Sequence, residues 1–410
     1  MKIRITLIAA ASVCGLIFTV QSGFAQGSLT PSGPPGPTMI TLSQIEPRTI
    51  VNAANTPGDA GDTFIISKPG SYYLTGNIAG VSNQNGITIT ANNVVLDLSG
   101  FALQGVSGGD NGIYIPNAQT NITVRNGTVN GWGGDGVYAG DTFSLVVERL
   151  NVSSNEYGIY LNEAAGVVRD CNSQNNDYDG VDCYGGGIVS GCNLNNNGQN
   201  GLAGNAISVS GCMADYNGSC GINVNSCNIS GCTASGNSGP GIEGDYSNIS
   251  SCTANGNSDG GIYVLSGTAS GCEVEGNSQN GIYVGGGTVS GCCVVSSQYS
   301  GIYVSGFGCS VIGNNCIGNN RGLSSSEAGI YIYSGMDRIE DNQVTSSGYA
   351  GIVIYNNSSF SNNIIIKNSV SGTSSGTGNN YVTPGNQTVG PLITSFGTIS
   401  SSNPWANFSY

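Results

Sequence analysis

Between residues 192 and 304 the chain repeats itself every 20 residues without slippage, and this constrains its fold more than any other feature. One unit reads SGCTASGNSGPGIEGDYSNI; the next two read SSCTANGNSDGGIYVLSGTA and SGCEVEGNSQNGIYVGGGTV. Cysteines fall at Cys192, Cys212, Cys232, Cys252, Cys272 and Cys292, and glycines opening a short apolar run fall at Gly201, Gly221, Gly241, Gly261, Gly281 and Gly301. A fixed period of this size means stacked units, not a closed globule. Within a unit the apolar positions alternate: Ile282 and Val284 share one face and Tyr283 points the other way, which is a strand period. Such a unit is too short to hold a strand, a covering helix and their turns, so it consists of short strands and tight turns. Parallel strands ordinarily need a helical crossover. A chain wound as a coil avoids it by bringing each strand back beside its predecessor, about 4.8 Å further along. The interior then becomes stacks of like residues: Cys232 and Ala234 on one wall, Ile242 on another, and Asn197, Asn217, Asn237, Asn257 and Asn277 at a turn.

The repeated GIYV-type strand, the SGC and NIS strand starts, the asparagine turn and the early segment NVVLDLSGFAL together resemble the right-handed parallel β-helix proteins of the pectate-lyase-like group. The resemblance covers residues 63–370. It implies an all-β fold, a single right-handed parallel β-helix solenoid of about 12 to 13 coils, roughly 60 Å long at the sheet spacing. Coils of 20 to 28 residues follow from the glycine spacing. The same scaffold carries lyases, hydrolases, esterases, adhesins and surface proteins, so activity has to be read from side chains and not from the fold.

Residues 1–25 read as a secretory signal, with Lys2 and Arg4 ahead of an apolar stretch and Gly23, Phe24 and Ala25 at its end. Export to the periplasm, cell surface or medium of a bacterium is therefore expected. Residues 26–62 read as a Pro/Gly-rich arm and N-terminal cap, 63–370 as the β-helix and 371–410 as a C-terminal cap. Without the signal, eight basic residues face 24 acidic ones, a net charge of −16. That disfavours nucleic acid and anionic membranes as partners, and no stretch after the signal is long and apolar enough to insert into a bilayer. Longer turns at 104–111, 130–135 and 321–328 all precede the same strand. Insertions confined to one face mark a binding face or are simply tolerated there.

Histidine is absent, which excludes His-based nucleophilic catalysis and His-ligated metals. The polygalacturonase-like branch implied by the resemblance has a His in its motif. The pectate-lyase-like branch uses carboxylate-bound Ca²⁺ with an Arg or Lys base, yet residues 170–320 contain neither Lys nor Arg. The seven cysteines at one position, starting at Cys171, are expected to face inward as small apolar residues. In-register side chains point in parallel and do not favour the disulfide dihedral.

The outward position two after each opening glycine holds Tyr114, Tyr138, Tyr160, Asp182, Ala203, Asn223, Glu243, Tyr263, Tyr283, Tyr303 and Tyr331. Two tyrosine ladders thus flank a polar gap. Tyrosines one coil apart stabilise a sheet by stacking, and the same rings could serve as a track for sugars. Inside the gap Glu243 and Asp245 lie on one face about 6.5 to 7 Å apart by strand rise, overlapping the roughly 6.5 to 9.5 Å of inverting glycosidases; otherwise they are solvated surface acids. Asp177, Asp179 and Asp182 are either ordinary turn residues or a site for a hard cation, with Ca²⁺ the candidate and no cofactor required. Arg125, Glu148 and Arg169 fall on consecutive coils as an ion ladder. Two readings follow: an exported glycan-binding or structural protein, or a polysaccharide hydrolase or lyase.

Overall fold

The computed structural model describes residues 46–116, 118–323, 326–357, 359–373, 380–394 and 401–410. The chain divides into two units, Met1–Pro47 and Arg48–Tyr410, and the strands among the described residues lie in the second. The proposed signal and the PSGPPGPT segment lie outside the described residues.

Each coil of the second unit contributes to three walls, shown by the coil that opens at Gly281. Ile282–Val284 lies on the first wall, Thr288–Ser290 on the second and Cys293–Val295 on the third. Every pairing between named strands is parallel, and apart from a shift between Phe143 and Leu145 against Ala165 and Gly166 the coils keep register, as in Ile262↔Ile282↔Ile302. The first wall has 15 strands, more than the 12 to 13 coils expected from the glycine spacing. The two extra strands are Asp62–Ile66 and Tyr381–Val382, which stack at the ends without an opening glycine and so escaped the pattern. Pairing also reaches past the expected limits of the β-helix, from Thr49–Ile50 to Asn407–Ser409.

The inward residues form one continuous core along the unit, with Ile222, Ile242, Ile262, Ile282, Ile302, Ile330 and Ile352 fully buried in a single stack. Each contributes about 1.5–3 kcal/mol through its burial. The corner between the second and third walls explains the SGC signature. Gly191, Gly211, Gly231, Gly271 and Gly291 sit there at φ 59–61°, where a Cβ is disfavoured. The opening glycines serve a different need: a Cβ on Gly281 would lie 2.2 Å from Val294 Cγ1 and 2.7 Å from the Gly301 carbonyl oxygen.

The cysteine after each corner glycine points inward. All 13 cysteines of the described residues are free, and the seven from Cys171 to Cys292 are buried. Instead of meeting one another as disulfides, their thiols fold back and donate to the carbonyl two residues earlier, at 3.2–3.5 Å in Cys192, Cys212, Cys232, Cys252, Cys272 and Cys292. Alkylating the denatured, unreduced protein and weighing its peptides is expected to label most ladder thiols; predominant cross-links between adjacent coils would contradict this packing.

The asparagine turn is a buried hydrogen-bond ladder. Each carboxamide oxygen accepts the backbone N–H of the preceding Asn in the ladder, as from Asn197 to Asn217 at 2.9 Å and from Asn217 to Asn237 at 2.8 Å. It extends back through Asn155 and Asn176. At Ser297 it lapses, leaving a buried hydroxyl oxygen without a partner. A second ladder, not anticipated from the sequence, takes over the corner that the cysteines occupy: Cys292 N–H donates to Asn314, Asn314 to Asn342, Asn342 to Asn368 and Asn368 to Asn407.

The expected ion ladder is rearranged. Arg125 lies beside Glu148 in register, yet its Nε donates to Asp97 Oδ2 at 3.2 Å. Glu148 instead pairs with Arg149 and with Arg169, whose Nε lies 2.8 Å away. The buried carboxylate of Glu148 needs neutralising more than the half-exposed guanidinium of Arg125 does, and two arginines converge on it.

Candidate functional site

The outer face of the first wall brings the predicted aromatic residues together, but mainly with one another. Tyr114, Tyr138 and Tyr160 follow at centroid distances of 5.4 and 5.6 Å. Tyr263, Tyr283, Tyr303 and Tyr331 follow at 5.3, 5.7 and 5.5 Å, the last two pairs within 11° of parallel. A stacked ring has its face occupied and offers mostly its edge. Tyr331 is buried among Ala328, Ala350 and Val353, with Tyr303 packed against this small outer core, so that end of the track is closed to a ligand. Phenol groups are engaged as well: Tyr263 donates to Asp259 at 2.6 Å, and Tyr283 accepts from Ser305 at 2.7 Å.

Between the ladders, Ala203 and Asn223 replace tyrosine, and their short side chains lower the face by the height of a ring. The result is a cleft of about 540 Å³ lined mainly by polar groups, including Asp179, Asp182, Gln199, Asn200 and Asn223, with Tyr157 and Tyr184 on its rim. None of the residues lining it is basic.

Three carboxyl groups converge near this cleft, all of them buried. Asp135 and Asp179 hold equivalent positions just before opening glycines two coils apart, about 10 Å by sheet spacing. Asp135 accepts the Tyr157 N–H at 3.3 Å and Asp179 the Asn200 N–H at 2.6 Å. Asp182, on the first-wall strand Val181–Cys183, is 5% exposed, and its buried Oδ1 has no hydrogen-bond partner. Burial raises all three carboxyls, to about 7 for Asp135 and Asp182; the neighbouring acids push Asp182 further in the same direction.

The acids expected at a cation site, Asp177, Asp179 and Asp182, are not gathered at one point. Asp177 is exposed while Asp179 and Asp182 are buried, and no three potential ligands among the described residues are gathered to hold a metal. The strand places successive side chains on opposite faces, and the turn at 177–179 sends Asp177 to solvent. Glu243 and Asp245 do share the outward face of one strand, half-buried, beyond the cleft. Glu243 accepts from the Cys220 thiol at 3.6 Å and Asp245 from Asn225 Nδ2 at 3.3 Å.

Two contributors were missed in the sequence, Asp135 and Tyr157. Tyr157 stacks between Tyr160 and Tyr178 at 5.1 and 5.0 Å, extending the first aromatic ladder sideways to the cleft. Both precede an opening glycine, a position that reads as an ordinary turn. The signal available was their register with Asp179.

Among known proteins, residues 71–206 and 266–403 match the family described as "Right handed beta helix region", together well over half of the chain. No curated protein matches by sequence. Among solved structures, the A-module of the Azotobacter vinelandii mannuronan C-5 epimerase AlgE4 is similar at 14% identity, over 83% of this chain and 91% of that one, with a TM-score of 0.42. The Dettilon tailspike protein is similar at 16% identity over 72% of this chain and 60% of that one, also at 0.42. The GH87 α-1,3-glucanase of Streptomyces thermodiastaticus is similar at 13% identity over 80% and 65%, at 0.35.

Proposed function

We propose that this chain, which belongs to the right-handed β-helix family, is an exported glycan-binding protein whose ligand lies across the outer face of the first wall, in the cleft between the tyrosine ladders. The observation that carries this reading is the cleft itself. Its volume of about 540 Å³ falls in the range of small-molecule sites, and its carboxamides and carboxyls offer the mixture of donors and acceptors that sugar hydroxyls need. Tyr184 at the rim supplies apolar ring surface, and Tyr157, stacked between Tyr160 and Tyr178, offers its edge. The stacked tyrosines further along stiffen the wall and keep this face flat. Ca²⁺ is not required.

A second reading has one observation in its favour: a carboxyl held partly protonated near neutral pH, as Asp182 is, can serve as a general acid.

A glycan array and a reducing-sugar assay, each with Ca²⁺ and with chelator, test both readings. Wild type is expected to retain at least one glycan in chelator, and Gln199→Ala with Asn223→Ala to weaken it about tenfold or more. Tyr263→Ala with Tyr283→Ala, and Glu243→Gln with Asp245→Asn, are expected to leave binding within about threefold. Release of reducing ends that Asp182→Asn abolishes would carry the hydrolase reading. A wild type that retains no glycan would remove the binding function.

A further inference from the structure

We infer that the ligand of this cleft is cationic, an amino sugar whose ammonium group is received between Asp179 and Asp182. The inference rests on the glycan-binding reading and narrows it to a substrate class.

Asp182 presents a buried carboxyl oxygen with no donor, although it lies beside the cleft. Leaving such a group unpaired is costly, and proteins ordinarily answer it with a neighbouring N–H or a cation. Here the sequence withholds the cation: from residue 170 to residue 320 there are ten acidic side chains and no Lys or Arg. Elsewhere among the described residues three buried acids are neutralised in place, Glu148 by Arg149 and Arg169, Asp97 by Arg125 and Glu340 by Arg338 and Lys367, while the buried Asp337 is met by the Ser334 hydroxyl and the Cys309 N–H. Asp179 and Asp182, with Asp135 behind them, line a ligand-sized cleft and have no such partner.

An ammonium entering the cleft would relieve the mutual repulsion of these carboxyls and give Asp182 Oδ1 a charge-assisted donor. The exposed ring of Tyr184 at the rim adds aromatic surface on which a cation is favourable. A uronic acid or sulfated sugar would bring a further negative charge to a site without any positive one. A simple amine lacks the hydroxyls that Gln199, Asn200 and Asn223 are placed to meet, so the sugar is part of the recognition.

Isothermal titration at pH 7 with a glucosamine hexamer, the N-acetylglucosamine hexamer and 1,5-diaminopentane separates the alternatives. The glucosamine hexamer is expected to bind about tenfold or more tightly than the acetylated one. Asp182→Asn should erase that preference. Glu273→Gln with Glu275→Gln, which removes charge from the third wall well away from the cleft, should retain it, excluding attraction by net charge alone. Equal or tighter binding of the acetylated hexamer would overturn the cationic assignment and leave glycan binding standing. A preference unaffected by Asp182→Asn, or lost equally in the third-wall variant, would overturn the assignment to this cleft. Diaminopentane binding as tightly as the glucosamine hexamer would overturn the sugar part. Failure of both hexamers, with no other glycan retained on the array, would remove the glycan reading itself and this inference with it.

Discussion

Asp182→Asn is expected to make the protein more stable than wild type above neutral pH, and the advantage to vanish at pH 4. The sign follows from linkage. Burial and the neighbouring acids raise the Asp182 carboxyl from 3.8 to about 7 in the folded protein, whereas the unfolded chain leaves it near its ordinary value. Between those two values the folded state binds the extra proton, so stability falls as pH rises through the window. A shift of this size corresponds to about 4 kcal/mol at 1.36 kcal/mol per pKa unit. The carboxamide that replaces the carboxyl in the variant has nothing to ionise. Asp135, also raised to about 7, titrates in the same window and is coupled to Asp182, so the two contributions are not additive. Asp97 and Glu340 are shifted the opposite way and lose their contribution in acid, but they are common to both proteins. Thermal unfolding of variant and wild type from pH 4 to 8 should show a gap that opens steadily in the variant's favour. A constant gap, or one that opens toward acid, would show that this carboxyl ionises freely in the fold.

The second large effect is expected from Asn257→Ala. Asn257 is fully buried; its oxygen accepts both the Asn237 N–H and Asn237 Nδ2, each at 3.0 Å, and its own Nδ2 donates to the Ala234 carbonyl at 3.1 Å and to Asn277 Oδ1 at 2.9 Å. Alanine removes the side chain, leaving the Asn237 N–H in the core without an acceptor, Asn237 Nδ2 with the Ala214 carbonyl alone and the Ala234 carbonyl without the Asn257 donor. At about 1–3 kcal/mol for each unsatisfied group, the loss is roughly 2–6 kcal/mol. Because coils contact only their neighbours, the damage should be local. Hydrogen exchange is expected to accelerate first in the coils on either side of residue 257, while the coils near residue 150 stay protected. A uniform loss of protection along the unit, or none, would contradict a ladder that acts coil by coil.

How far the chain could be read in advance depended on repetition. The interior stack through Ile282, the inward cysteines and the first asparagine ladder were legible because each recurs every 20 residues, and chance does not keep such register. The second ladder was not: Asn314, Asn342, Asn368 and Asn407 lie 28, 26 and 39 residues apart along the hydrogen-bonded chain, since outer loops of unequal length intervene. Of the terminal strands of the first wall, Asp62–Ile66 was legible from the alternation that begins at Thr63, whereas Tyr381–Val382, beyond the point where the period fades, was missed for lack of an opening glycine. In the candidate site, the outward positions of the tyrosines and of Asp182 were clear from alternation. Their burial was not, because it depends on how side chains lean onto neighbouring coils. Tyr331 is covered by the outer core that includes Ala328, and Asp179 is buried by its bond to the Asn200 backbone. Arg125 has an acid in register on either side, Asp97 on the preceding coil and Glu148 on the following one, and it pairs with Asp97 because Glu148 is already met by two arginines.

The claim that joins these parts is that the outer face of the first wall binds a glycan in the gap between its tyrosine ladders. Hydrogen exchange with and without the tightest oligosaccharide from the array locates the contact directly. The account predicts ligand-induced protection concentrated in residues 179–184, 199–205 and 223–225, with the second and third walls unchanged. Protection centred on residues 283–331, protection on another wall, or no change on adding any oligosaccharide would contradict it.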